Sequence, residues 1–365
     1  MKPLSIVHTE NSCGWGGQEI RILTESRGFL DRGHRVTLVT QAEAPIAEAA
    51  RRAGLEVVTM PLRKRLPDLL ALRRWIADGR SAIDVVNTHS STDSWLAALA
   101  CATLSGAPPV VRTRHLSTTV HDRIATRWLY RRGAAHVVTT GEAIRSQLAT
   151  SIGVPMERMT SIPTGIDLAR FVPGDPHAAR RGLALPDRPT LGIVATMRAW
   201  KGHTYLFDAL AATPAAWADW QVLVVGGGPD RDVLEAHVQR RGLSGKVRFT
   251  GHQEDVVPWI QSLDLFALPS YGEEGVPQAI MQAMACGVPV VSTRVGAIAE
   301  AVDGEVTGLF AEPRSAASLA EKLGLLRDDL TLRARFSTAA RAKAEKTFGI
   351  DRMLDAMERV FRSVT

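Results

Sequence analysis

Short, nearly unbroken apolar runs alternate along the whole chain with longer stretches whose apolar residues recur every three or four positions. The runs predict strands over residues 4–8, 35–40, 56–60, 85–88, 110–113, 136–140 and 159–162. A second series follows over 191–196, 221–225, 246–250, 265–268, 288–292 and 308–310. The periodic stretches predict helices between them, among others over 19–32, 95–103, 142–150, 202–212, 231–242, 277–286 and 316–328. Strands apolar on both faces and separated by helices belong to a parallel sheet covered on both sides. The rhythm pauses over residues 171–190, where Pro173-Gly174-Asp175-Pro176 and Pro186-Asp187 are turn-rich. The expected fold is therefore α/β, with two tandem doubly wound Rossmann-like domains facing across a cleft. The boundaries are 1–172 and 173–350, and a C-terminal helix over 351–365 is expected to pack back on the first domain. A chain of 365 residues suits two such domains.

Charge changes this picture in one place. Residues 1–172 carry 22 Lys+Arg against 15 Asp+Glu, so the whole excess behind the net +6 lies in the first half. Two basic clusters stand out: Arg63-Lys64-Arg65 with Arg73-Arg74, and Arg123, Arg127, Arg131 and Arg132. The first runs into an apolar helical pattern at Leu66, Leu69, Leu70, Leu72, Trp75 and Ile76. Such a stripe suits either an anionic membrane surface or the domain's own core. Three scattered cysteines, Cys13, Cys101 and Cys286, argue against a disulfide framework and fit a reducing compartment. No run of ~18 apolar residues occurs, which excludes a membrane-spanning helix of that kind. No aromatic stacking platform or nucleic-acid motif accompanies the basic half.

Four segments carry candidate chemistry. Cys13-Gly14-Trp15-Gly16-Gly17-Gln18-Glu19 lies between the first strand and first helix, where bare amides favour an anion. It lacks both the Walker and the GxGxxG pattern. Arg198 and Lys201 flank a strand-to-helix loop and could together hold a diphosphate. Gly226-Gly227-Gly228-Pro229 forms a second glycine turn; the Asp230-Arg231-Asp232 that follows reads as helix capping rather than a metal site. The stretch from Ser270 to Val291 runs from an acidic loop with Glu274 and Gly275 into a helix with Gln282. At eight residues apart, Glu274 and Gln282 would share one side of a helix. Amides near Gly275 for an anion, with Glu274 and Gln282 for hydroxyls, suit a nucleotide sugar.

With these motifs in order, the chain resembles the family 4 retaining glycosyltransferases of the GT-B fold over nearly its whole length. Gly16-Gly17-Gln18-Glu19 is similar to the family's Gly-Gly-x-Glu, and Asn87-Thr88-His89-Ser90 to its His-x-His-Ser. Pro163-Thr164-Gly165-Ile166-Asp167 is similar to its Pro-Asn-Gly-Val-Asp, and the Lys201-Gly202 loop and the Glu274-to-Val291 segment follow in register. The resemblance implies an N-terminal acceptor domain, a C-terminal donor domain and sugar transfer from a UDP- or GDP-linked donor, with retention and without metal or cofactor. It implies catalytic roles for Arg198, Lys201, Glu274 and His115. Donor binding falls to Gly16, Gly17, Gly275, Val276 and Gln282, and an acceptor-side place to His89. The expected acceptor is a lipid-linked or cell-envelope glycan, as in lipopolysaccharide or polysaccharide biosynthesis. The expected place is the cytoplasm, peripheral on the inner membrane face. Departures from the family pattern stand out: Gln282 replaces a glutamate, Thr196 an arginine, Thr164 the hinge asparagine and Asn87 a histidine; Arg198, two positions beyond Thr196, is the expected substitute for that arginine. An epimerase of the same fold and a non-catalytic nucleotide-binding protein are the competing readings.

Overall fold

A computed structural model describes residues 2–272 and 274–365. The first sheet holds β1 (Ser5–Glu10), β2 (Arg35–Thr40), β3 (Glu56–Thr59), β4 (Val85–Thr88), β5 (Val110–Arg114), β6 (His136–Thr139) and β7 (Met159–Ser161). The second holds β8 (Thr190–Val194), β9 (Gln221–Val225), β10 (Val247–Gly251), β11 (Leu265–Leu268), β12 (Val290–Ser292) and β13 (Gly308–Phe310). The orders are β3-β2-β1-β4-β5-β6-β7 and β10-β9-β8-β11-β12-β13, and every strand pair is parallel. Each sheet thus runs outward one way and then reverses, at β1/β4 and at β8/β11. In doubly wound sheets, ligands bind beyond the strand C-termini at that reversal.

The alternation of side chains explains why the central strands carry apolar residues on both faces. Ile6, Val85, Val111 and Val138 pack with Ile22 and Phe29 on one face of the first sheet. Val7, Val39 and Val86 pack with Leu72, Ile76, Leu96 and Ala97 on the other. The second sheet builds its own core around Leu191, Ile193, Leu223, Phe266 and Val291.

The chain divides into one unit of residues 1–165 with 350–365 and a second of 166–349. The division precedes the expected boundary at 172/173, because residues after Gly165 already serve the second unit. Ile166 and Phe171 lie in its core, and the Ile166 amide donates to the Phe348 carbonyl (2.6 Å). The turn-rich stretch is not a bare linker. Asp175 caps the helix Pro176–Gly182 through the His177 amide, and Arg180 within it is buried against the Ser262 carbonyl and Asp264. The last helix, Ile350–Val364, lies along the helix Gly17–Asp31: Phe29 meets Phe361 at 5.6 Å between centroids, and Arg32 pairs with Asp355 at 2.7 Å. A long helix, Leu330–Thr347, adds to the elements expected.

Candidate functional site

In the second unit, the loops after β8 and β11 meet at the sheet reversal. Lys201 Nζ lies 2.6 Å from Glu274 Oε1, and Ser270 Oγ donates to the same oxygen at 2.7 Å. Glu274 is buried and Lys201 half-buried. A buried carboxylate needs such partners, since an uncompensated one is costly. Two glycines fix the loops. Gly202 has φ +77°, and a Cβ there would stand 2.0 Å from the Pro269 carbonyl oxygen. Gly296 has φ +58°, and a Cβ there would stand 2.1 Å from the Glu274 carbonyl oxygen, which already accepts from the Ala297 amide. No side chain larger than hydrogen fits at either place.

The other expected residues divide around this pair. The Gly226–Gly228 turn holds the segment after β8, with the Met197 amide donating to the Gly227 carbonyl (2.8 Å). Arg198 is exposed beyond it, its guanidinium 5.2 Å from the Trp200 ring centroid rather than on Glu274. Gly275 and Val276 follow Glu274 in the loop. The helix starts only at Gln278, so Glu274 does not share a helix side with Gln282; Pro277 occupies the N-cap and ends the loop first. Asp230 sits at the N-cap of the helix Arg231–Arg240 without a side-chain capping bond, and Asp232 lies in its first turn. Among the described residues, no group of three or more His, Cys, Asp and Glu could hold a metal ion. One neighbour was not anticipated: His203 follows Gly202, fully buried with neither ring nitrogen hydrogen-bonded among the described residues. Burial, then the Lys201 charge, lowers its pKa to about 4.

In the first unit, the corresponding loops follow β1 and β4. Gly16 is the N-cap of the helix Gly17–Asp31. Glu10, at the end of β1, accepts from the Ser12 amide (2.6 Å) and from Gln18. Burial, then the nearby Asp93 charge, raises its pKa to about 8. After β4, Ser90 and Asp93 form a capping box on the helix Ser91–Ala102. Asp93 also accepts from the His89 amide (2.9 Å) and Thr9 Oγ1 (2.7 Å).

His89 and His115 come together, with a third histidine. His8 Nδ1 lies 2.8 Å from His89 Nε2, and His89 Nδ1 lies 3.0 Å from His115 Nε2. The rings stack in sequence, with centroids 5.1 and 5.2 Å apart. Behind His8, its Nε2 stands 4.0 Å from Glu25 Oε1, and Glu25 Oε2 stands 3.4 Å from Arg21 Nε. Asn87 Nδ2 donates to Glu25 (3.4 Å), and Thr113 Oγ1 donates to Asn87 (2.8 Å). Burial lowers the pKa of all three histidines, that of His8 to about 3. His89, expected on the acceptor side, is the middle link of this chain, with both ring nitrogens engaged. His8, Arg21 and Glu25 were missed; the available signal was a string of polar residues at positions that the strand and helix patterns bury.

Residues 15–170 match the family model described as "Glycosyltransferase Family 4", and residues 188–329 that described as "Glycosyl transferases group 1". The lipopolysaccharide core biosynthesis mannosyltransferase LpsB of Rhizobium meliloti is 31% identical, over 70% of this chain and 73% of that protein. The 2-deoxystreptamine glucosyltransferase of Streptomyces kanamyceticus is 28% identical over 85% of this chain and 89% of its own. Among solved structures, HepE of Anabaena in complex with UDP-glucose has a TM-score of 0.86 at 22% identity, covering 99% of this chain and 100% of that one. Two parallel Rossmann-like units, and a match to solved glycosyltransferases across both, give the GT-B fold. With the two family matches and the shared length with LpsB, the chain belongs to the family 4 glycosyltransferases.

Proposed function

We propose that this glycosyltransferase takes its sugar from a nucleotide-diphosphate donor, UDP- or GDP-linked, and transfers it with retention to a hydroxyl of an envelope or lipid-linked glycan, without a metal ion. The carrying observation is the Lys201–Glu274–Ser270 cluster at the β8/β11 reversal. A cation held on a glycine-bounded loop suits a leaving diphosphate, whose growing charge is the largest target for catalysis. Lys201 neutralises that charge and Arg198 swings onto it from the Trp200 face. Glu274 and Ser270 then hold donor hydroxyls, with the Gly275 and Val276 amides beside them and Gln282 on the ribose. In the first unit, the Gly16 and Gly17 amides serve the phosphates and His115 the reacting sugar. The bound UDP-glucose of HepE and the lipopolysaccharide role in the LpsB name support this reading.

The basic stripe supports an acceptor at an anionic membrane surface. The helix Leu66–Gly79 buries Asp68, Leu72 and Ile76 but leaves Leu66 and Leu70 exposed beside Lys64 and Arg65. Ile124 is 89% exposed next to Arg123. Apolar tips ringed by cations are the elements of peripheral binding. No helix among the described residues is long and apolar enough to cross a membrane.

The deciding measurement is thermal unfolding with UDP, GDP, ADP and their sugar conjugates. A ligand at 100 times its dissociation constant adds ~2.7 kcal/mol. A nucleotide-selective shift that Lys201→Ala removes is the expected result; no shift with any of them refutes the donor assignment. Sedimentation with anionic vesicles at low and high salt tests the surface, and salt-insensitive or absent binding refutes it.

A further inference from the structure

The three-histidine chain of the first unit has only two ways to place its protons. Burial keeps each ring neutral, with one N–H apiece. Each of the two inter-ring bonds needs one proton. If His89 donates from Nε2, His115 must donate from its own Nε2, and His8 carries its proton on the outer Nε2. His115 Nδ1 is then a bare lone pair. If His89 donates from Nδ1, every proton reverses: His8 Nε2 is bare and His115 Nδ1 carries the hydrogen.

What stands at the inner end chooses between them. His8 Nε2 faces Glu25 Oε1 at 4.0 Å. Burial pushes the Glu25 carboxyl up, but Arg21, fully buried and always a cation, stands 3.4 Å away and with the Asn87 amide pulls it back towards the carboxylate that Arg21 needs as its counter-charge. Its NH1 is also held by the Ile162 carbonyl (2.6 Å). The other Glu25 partner, Asn87 Nδ2, is a donor whose own oxygen is taken by Thr113, so Asn87 cannot turn over. A bare nitrogen facing this carboxylate sets lone pair against negative charge, whereas an N–H is attracted to it.

We propose that Glu25 and His8 are positioning residues: through His89 they lock His115 in the Nε2–H tautomer, so that its Nδ1 can only accept a hydrogen bond. Resting on the donor reading above, this makes His115 Nδ1 a hydrogen-bond acceptor for a sugar hydroxyl, not a donor to a phosphate or carbonyl oxygen. It explains why a hydrogen-bonded histidine triad is buried behind one half-exposed ring, and it assigns the Arg21–Glu25 pair a function beyond packing.

The test is 15N-imidazole NMR on the ligand-free full chain, with the His115 signals identified by their loss in His115→Asn. The expected wild-type spectrum has His115 Nε2 protonated and Nδ1 in the unprotonated range. In Glu25→Gln the neutral amide no longer selects, and the Nδ1–H form of His115 becomes populated. Should that variant unfold around the unpaired Arg21, His8→Phe keeps the ion pair, cuts the chain at its first bond and has the same effect on the spectrum. A wild-type His115 protonated at Nδ1, or a folded His8→Phe with the wild-type pattern, overturns the proposal. UDP and UDP-sugar affinities of the same proteins separate the two claims. His8→Phe should weaken the sugar nucleotide about five- to tenfold while leaving UDP unchanged; equal affinities for both ligands in variant and wild type overturn it. Failure of wild type to bind UDP or GDP refutes the donor reading alone, since the tautomer is read without ligand.

Discussion

His203 gives the second unit a defined weakness to acid. Its imidazole is buried beside Lys201 with no hydrogen bond to either nitrogen among the described residues, and its pKa falls from 6.5 to about 4. A lowered pKa means that the unfolded chain takes up the proton first. The associated stability is therefore full above pH 6.5 and is lost as pH falls towards 4. Each pH unit in that window costs about 1.4 kcal/mol, so lowering the pH from 7.5 to 4.5 removes about 2.5 kcal/mol through this one ring. The comparison is with His203→Gln, which keeps a polar side chain of similar length but cannot titrate. Urea unfolding at both pH values, followed by the fluorescence of Trp217, Trp220 and Trp259 in this unit, gives the two losses. Other acids and bases contribute equally to both proteins, so the difference between the losses isolates His203. Wild type should lose about 2.5 kcal/mol more than the variant. Equal losses would show that the ring charges freely in the folded state, and the reasoning from burial would fail.

Lys201→Met should lower transfer about 100-fold or more, the scale of losing one preorganised charge donor. It should also destabilise the second unit by about 1–3 kcal/mol, because among the described residues the Glu274 carboxylate then keeps Ser270 alone; kinetics and denaturation on the same sample check both. Gly202→Ala should cost more than about 2 kcal/mol, since its φ is +77° and the Pro269 carbonyl occupies the Cβ position; a variant as stable as wild type contradicts this geometry. Glu10, with its pKa raised to about 8, contributes stability that is full below 4.5 and lost as pH rises through 8. Glu10→Gln should flatten the stability of the first unit between pH 5 and 8, and an unchanged slope counts against the buried neutral carboxyl.

The strands were legible because most carry an apolar run buried on both faces, as in β8, β9 and β11, and the doubly wound pattern follows from their alternation with helices. Their ends were less legible: β1 continues through Thr9 and Glu10, whose polar side chains look like a loop but pair with Val39 and Thr40 partners in register. The helix Leu330–Thr347 escaped because its buried stripe is Phe336, Ala340 and Ala344, and alanine carries little hydrophobic signal. The basic stripe could be read two ways, and its apolar residues divide: Leu72 and Ile76 turn inward to the core, while Leu66 and Leu70 face outward. Lys201 and Glu274 are 73 positions apart, and only the strand order brings them together. The histidine triad was invisible for the same reason, since His8, His89 and His115 lie on or just beyond three neighbouring strands.

The first unit is closed by the last residues of this chain. Met353, Leu354, Met357 and Phe361 belong to its core, and Met357 lies against the buried Arg21. During synthesis, residues 166–349 must therefore be made between its two parts, a delay of roughly 10–40 s at ribosomal speed. Through that interval Ile22, Phe29 and the Arg21–Glu25 pair await their cover, and the second unit, uninterrupted in sequence, is completed before that cover is made. Of the two units, the one whose first residues are made earlier is the one finished later, and the nascent chain carries an unsealed apolar face that a chaperone or a slow aggregate can reach.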